Sequence, residues 1–302
     1  MRMDPFGNQQ AQGASARPRG GGIKWWILIL FAGYAAWSWF GSAATDPYTG
    51  EKAHYGASVE QENQLGLQAF QEVVSTERVL PPSDPTAQQI EAIARRLVEH
   101  ADEVEADLAA ANGQASPNLA NTFEWSVAVL ESPDANAFCL PGGKMAVYTG
   151  LIPITQNEDA MAVVMGHEIA HALLRHGSQR MAQQKLVQMG QIAAGIAVGD
   201  MSPQQQQMVM AALGAGAQYG LVLPYGRNHE TQADEVGLML AAAACYDPAE
   251  AIPLWERMGQ LNGGARPPEF ASTHPDPANR ISHLQSLLPK AMEFRAKYCP
   301  GK

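Results

Sequence analysis

Two histidines stand four positions apart in GHEIAHALLRH, residues 166–176, and a glutamate directly follows the first. On an α-helix such residues lie one turn apart on the same face, so His167 and His171 can aim imidazole nitrogens at a single ion. Glu168 lies about 100° around the helix from His167, beside the pair rather than beneath it, where a general base for a metal-activated water is needed. The flanks predict the helix itself. Thr155 and Glu158 form a capping-box pattern, Gly177 is a natural stop, and Ala160, Val163, Val164, Ala170 and Leu174 share the face of the histidines. A chain built around this motif must turn that face toward a cleft and bring a third ligand from elsewhere, because a catalytic zinc takes three protein ligands and keeps one position open.

HETQADEVG, residues 229–237, is the strongest source of that ligand. Glu230 and Asp234 stand four apart on a predicted helix that follows a loop containing Pro224 and Gly226. Glu230 would complete a His, His, Glu set; Asp234, one turn on, would accept the other ring N–H of a zinc-bound histidine and fix its tautomer. Taken alone, the pair reads equally well as a solvated acidic helix face. His176 and His229 point away from the metal face and read as structural. Arg227 either steadies Glu230 or Asp234 or is simply solvated, and His54, His100 and His283 carry no motif.

The chain begins differently. Residues 1–22 have almost nothing to bury and are expected to form a disordered cytoplasmic tail. Residues 23–41 contain the uncharged run Trp25 to Phe40, rimmed by Trp25, Trp26, Trp37 and Trp39, which predicts one transmembrane anchor with an aromatic belt at each end. Ser42 to Ala44 would suit a signal peptidase, but the long tail and the tryptophans favour an uncleaved anchor. Arg2, Arg17, Arg19 and Lys24 precede the run, while Asp46 and Glu51 follow it. That asymmetry predicts a single-pass protein of a bacterial inner membrane, with the lipid bilayer as a partner and the catalytic domain facing the periplasm.

Residues 42–57 read as a linker and 58–300 as the catalytic domain. Helical periodicity runs through 58–77, 86–111, 155–177, 228–244, 248–261 and 280–298, and the extended patterns are confined to 123–132 and 138–152. The fold class expected is therefore α+β, predominantly helical with a small β-sheet. Two apolar stretches, 186–198 and 208–223, are too short to span a bilayer; they predict a helical hairpin packed on the domain or dipping into the membrane surface. Residues 267–280 form a Pro-rich loop. A hydrophobic share of 46% is enough for a proper core, and a formal charge of −10 without basic clusters argues against nucleic acid as a partner. Cys139, Cys245 and Cys299 read as inert thiols, with a single Cys245 to Cys299 bridge as the alternative. Nothing in the sequence sets an oligomeric state.

GHEIAHALLRHG, NHETQADEVGLML and the later YDP, taken in order, resemble the zinc metallopeptidases that include HtpX, the mitochondrial Oma protease and the CAAX prenyl proteases, whose motif is H-E-x-x-H followed by E-x-x-x-D. SPDANAFCLPGGKMAVYTGLI resembles the segment before the zinc helix in the soluble-domain bacterial members, STHPDPANRI resembles a loop found after the second motif, and the likeness covers roughly residues 58–290. It implies a gluzincin zinc-metalloprotease domain, one Zn2+ per chain held by His167, His171 and Glu230, and Glu168 as the base. Cys245 and Gly226 depart from the pattern, standing where relatives often carry Gly and Ser. The reaction expected is endopeptidase hydrolysis of unfolded or misfolded envelope and membrane polypeptides, as protein quality control, with substrate added as a strand along NAFCLPGGKMAV. A membrane-tethered holdase or scaffold stapled by a structural metal is the rival, but such a module has no use for Glu168. Prenyl-protein processing would need a multi-span body. His274, flanked by Pro275 and Pro277, is expected to reach the open side of the zinc. There it either donates a hydrogen bond to the oxyanion or, as relatives with this loop suggest, closes the resting site as a fourth ligand; an ordinary surface histidine is the plain alternative.

Overall fold

The computed structural model describes residues 24–41, 43–199, 201–217, 223–262, 270, 274 and 280–301. The expected tail over 1–22, and most of the Pro-rich loop with Pro275 and Pro277, lie outside the described residues.

Helix α1 (Trp25–Gly41) forms where an apolar helix was expected, but its 17 residues at 1.5 Å each reach only about 25 Å, against a hydrocarbon core of roughly 30 Å. Among the described residues no helix is long and apolar enough to cross a membrane. The described part of the expected anchor over 23–41 is this 17-residue helix. Helix α1 packs along a later helix, with Phe31 against Gly190 and the Lys24 amide donating to the Ala197 carbonyl at 2.9 Å. Strands β1 (Ala44–Thr45) and β2 (Lys52–Ala53) pair antiparallel within the stretch read as a linker.

The domain proper opens with α2 (Val59–Thr76), whose start is fixed by a reciprocal capping box between Ser58 and Gln61. Asp84 and Pro85 start α3 (Pro85–Glu99) in the same local way. A single helix was expected over 86–111, but the chain breaks at His100 (φ −107°, ψ 1°) and restarts as α4 (Ala101–Ala111). Strands β3 (Ser126–Leu130), β4 (Ala137–Leu140) and β5 (Lys144–Tyr148) form a sheet of order β3-β5-β4, in which β5 runs parallel to β3 and antiparallel to β4. The β4–β5 turn uses Gly142 and Gly143 at φ 79° and 78°, a left-handed conformation that glycine adopts without strain. These are the two extended pieces expected around Pro-Gly-Gly, and β4 lies at the sheet edge.

A short α5 (Ile152–Thr155) precedes α6 (Glu158–Leu173), the helix of the H-E-x-x-H motif. Its cap is Asn157, whose side chain accepts from the Ala160 amide at 2.8 Å; Thr155 belongs to the preceding turn. Nor does Gly177 stop it. The reversal falls at Arg175, left-handed at φ 55°, and Gly177 lies inside the next helix, α7 (His176–Ala197). The guanidinium of Arg175 is tied to the buried Glu62 carboxylate and to the Ala57 carbonyl, contacts that hold a backbone conformation unfavourable for a non-glycine residue.

Helix α8 (Pro203–Ala217) pairs with α7 as the expected hairpin, and α9 (Leu223–Ala243), α10 (Ala251–Asn262) and α11 (Arg280–Tyr298) complete the described chain. One hydrophobic core joins α3, α4, α6, α9 and α11, with Met165, Ile169 and Leu173 of α6 and Leu238 of α9 at its centre. A disulfide between Cys245 and Cys299 (Cα–Cα 5.6 Å) ties the end of α9 to the end of α11, and Cys139 is a buried thiol. The reading of three inert thiols thus gives way to its alternative. Cys245 is left-handed at φ 65°, which suits a position where the resembled family often carries Gly.

Candidate metal centre

The site is assembled where α6 crosses α9, and two glycines set the crossing. A Cβ on Gly166 would lie 2.7 Å from the Gly237 carbonyl oxygen, and one on Gly237 would lie 2.6 Å from the His167 amide. Only bare backbone permits such an approach. It brings the residue after Gly166, His167, and the residue two turns before Gly237, Glu230, to the same point. His167 Nε2 stands 3.0 Å from His171 Nε2, and the Glu230 carboxylate lies 3.3 Å from the first and 3.5 Å from the second. His274 joins them, its Nδ1 3.0 Å from Glu230 and 3.3 Å from His167 Nε2. One ligand atom from each of the four residues falls within 4.8 Å of the others.

This donor set fits a divalent cation. His167 Nδ1 meets Asp234 at 3.0 Å, so a neutral ring that donates there presents a lone pair at Nε2. Burial works against a charge on His167, but hydrogen bonds to Asp234 and Glu230 outweigh it and lift its pKa to about 9. Burial likewise raises Glu230, yet its hydrogen bonds to His167 and His274 hold the carboxyl well below the usual carboxylate range. Two buried carboxylates thus demand positive charge at this point.

Glu168 is 3% exposed, and its Oε1 accepts no hydrogen bond within the described protein; His274 Nε2 stands 3.4 Å away. Burial pushes its pKa up, against the pull of His274 and His167. A buried carboxylate oxygen left unpaired is costly, and such orphans concentrate where chemistry is done. The Cys139 backbone of β4 also lies close enough to favour the charged form of Glu168, which puts the sheet edge beside it.

Arg280 is a site residue that the sequence did not disclose. Its fully buried guanidinium donates to Asp234 at 2.6 Å, lies 3.5 Å from Glu230 and stacks 3.6 Å over the Trp255 ring. Burial raises the Asp234 pKa, but the Arg280 charge and the His167 hydrogen bond bring it down. Arg227, weighed for that task, is exposed. Phe270, packed 4.5 Å from the His274 ring and bonded through its amide to the Ala135 carbonyl, anchors His274 over the histidines. His176 and His229 stay out of the four-residue group, stacked on each other at 4.0 Å.

A helix carrying H-E-x-x-H, crossed by a second helix that supplies a buried glutamate and aspartate, defines a metallopeptidase. Residues 99–288 match peptidase family M48, and the chain belongs to that family. Its substrates are polypeptides. It is similar to the mitochondrial metalloendopeptidase OMA1 of Schizosaccharomyces pombe, 31% identical over 281 residues, which cover 92% of this chain and 76% of the relative. The OMA1 of Saccharomyces cerevisiae is 34% identical over 231 residues, covering 72% of this chain and 60% of the relative. The β-barrel assembly-enhancing protease of Escherichia coli is 27% identical over 267 residues, 86% of this chain but 50% of that protein.

Proposed function

We propose that this chain is a membrane-associated, zinc-dependent endopeptidase that cleaves unfolded or misfolded polypeptides of the bacterial envelope. The observation that carries the reading is the buried Oε1 of Glu168, which accepts no hydrogen bond among the described residues, beside the donor set of His167, His171 and Glu230. Zinc held by those three residues would polarise a scissile carbonyl and lower the pKa of a water to about 7. Glu168 takes the proton of the attacking water and returns it to the leaving amine. Asp234 holds the His167 tautomer, and Arg280 holds Asp234. Substrate adds as a strand along the β4 edge, Ala137–Leu140, which passes Glu168 at Cys139 and reads backbone rather than sequence. Such recognition suits unfolded chains and hence quality control.

One ligand atom of His274 lies within 4.8 Å of those of His167, His171 and Glu230, which supports assigning it the closing of the resting site rather than the role of oxyanion donor. A closed set of four is also what a structural metal takes, which keeps the holdase reading as the second one. The disulfide supports a compartment outside the cytoplasm, since such bridges persist in oxidising surroundings. Membrane association is supported by the apolar side chains that α1 leaves exposed, Trp25, Trp26, Trp37 and Phe40 among them, and by Ile192, Ile196 and Met208 on the adjacent hairpin.

The purified full chain should degrade reduced, unfolded casein, stop when chelated, and resume when one equivalent of zinc is restored. Degradation that continues at full rate under exhaustive chelation would remove the metal from the reaction.

A further inference from the structure

Each imidazole at the metal centre needs its rear nitrogen held, because a histidine ligates only through the nitrogen that carries no proton. For His167 that partner is Asp234. For His171 it is not a carboxylate but a second imidazole: His176 Nδ1 lies 2.8 Å from His171 Nδ1. His176 Nε2 in turn meets the Gln232 side-chain oxygen at 3.0 Å, and Gln232 Nε2 donates to the Glu51 carboxylate at 2.6 Å. Asn228 donates to the same Glu51 oxygen at 2.9 Å.

The direction of every hydrogen bond in this row follows from its far end. A carboxylate only accepts, so Gln232 must turn its NH2 group toward Glu51 and its oxygen toward His176. An amide oxygen also only accepts, so His176 carries its proton on Nε2. In the neutral ring, Nδ1 is then a lone pair, and the nitrogen facing it, His171 Nδ1, must be the donor. His171 Nε2 is left unprotonated, 3.0 Å from His167 Nε2 and turned to the donor set.

We propose that His176, Gln232 and Glu51 form a relay that locks His171 in its Nδ1–H tautomer and so presents Nε2 to the metal. His176 is a positioning residue here, acting through His171. The assignment rests on the metal reading above and adds to it a reason for the third histidine in HEIAHALLRH. The packing is built for it. His176 is 1% exposed and clamped by the stacked His229 ring, whose Nε2 is bonded to Gln179 at 3.2 Å, so the His176 ring is fixed in the plane that reaches His171. The relay also ties the metal centre to the segment between β1 and β2, the one place where it reaches the surface, at Glu51.

The test uses full-length protein in detergent and zinc alone as the probe, in competition with a chelator. His176→Phe keeps a ring to stack on His229 but offers no acceptor, and zinc affinity should fall about 10- to 100-fold, as for other residues that orient metal ligands. His176→Asn places an oxygen where Nδ1 was and should restore affinity to within a few-fold of wild type, which mere filling of the space would not do. A second measurement needs no variant: 15N NMR of metal-free wild-type protein should show the His171 ring, assigned by its loss in His171→Gln, as the Nδ1–H tautomer. An Nε2–H tautomer there, or His176→Phe binding zinc as tightly as wild type, would overturn the relay. Wild-type protein that takes up no zinc would overturn the metal site, and the relay with it.

Discussion

At the scale of single residues, His274 carries the sharpest prediction. Its ring lies 3.0 Å from Glu230 and 3.3 Å from His167, within the donor set and above the open side that substrate would need. If it closes the resting enzyme, His274→Ala should retain zinc on the three remaining ligands and raise basal casein hydrolysis. An oxyanion donor would give the opposite sign, a kcat lower by about 100- to 1000-fold with zinc still bound. Steady-state rates with metal analysis separate the two. The residues gathered here were largely legible in the sequence. His167, Glu168, His171, Glu230 and Asp234 announce themselves by helical spacing, which depends only on backbone geometry. Arg280 and His176 did not. Arg280 arrives 46 residues after its partner Asp234, from a different helix, and nothing local marks it as buried. His176 follows a left-handed turn at Arg175 that swings it behind His171, whereas helical spacing alone would point it away.

Among the elements, the α6–α9 crossing decides whether a site exists at all. Gly237→Ala would set a methyl 2.6 Å from the His167 amide, so the helices must separate. Stability should fall by about 1–3 kcal/mol, as in other overpacked interiors, and zinc affinity should fall with it. Gly226 lies on the same helix, and among the described residues nothing comes within 4 Å of its added Cβ, so Gly226→Ala should instead be neutral or stabilising by up to about 1 kcal/mol. Denaturant unfolding of the two variants checks the contrast; equal effects would mean that the crossing is not set by these backbones. Element positions were readable from periodicity, but their ends were not. The reversal at Arg175 is held by a tertiary contact, the Arg175–Glu62 pair, which reaches across 113 positions, and at the break the His100 ring meets Tyr298 of α11 at 5.9 Å. A break in hydrophobic period is not needed for either.

Across the whole molecule, most of the exposed large apolar side chains among the described residues lie on α1 and the α7–α8 hairpin. The indoles of Trp25, Trp26 and Trp37 are 63%, 61% and 74% exposed, an arrangement suited to the boundary between headgroups and acyl chains. The full chain should float with phospholipid vesicles, and Trp25→Ser/Trp26→Ser/Trp37→Ser should not; unchanged flotation would assign membrane binding elsewhere. The apolar run was plain in the sequence, but its packing against α7, with Phe31 on Gly190, was settled only by the fold. The same holds for the Cys245–Cys299 bridge, whose cysteines lie 54 positions apart until α11 folds back along α9. Hydrolysis depends above all on Glu168 acting as the base beside a metal held by its neighbours. Glu168→Gln removes the base and little else, so the decisive measurement is casein hydrolysis by that variant alongside its zinc content. The account predicts one zinc per chain, a wild-type fold, and a rate lower by about 100- to 10,000-fold. Hydrolysis near the wild-type rate by zinc-loaded Glu168→Gln would contradict it.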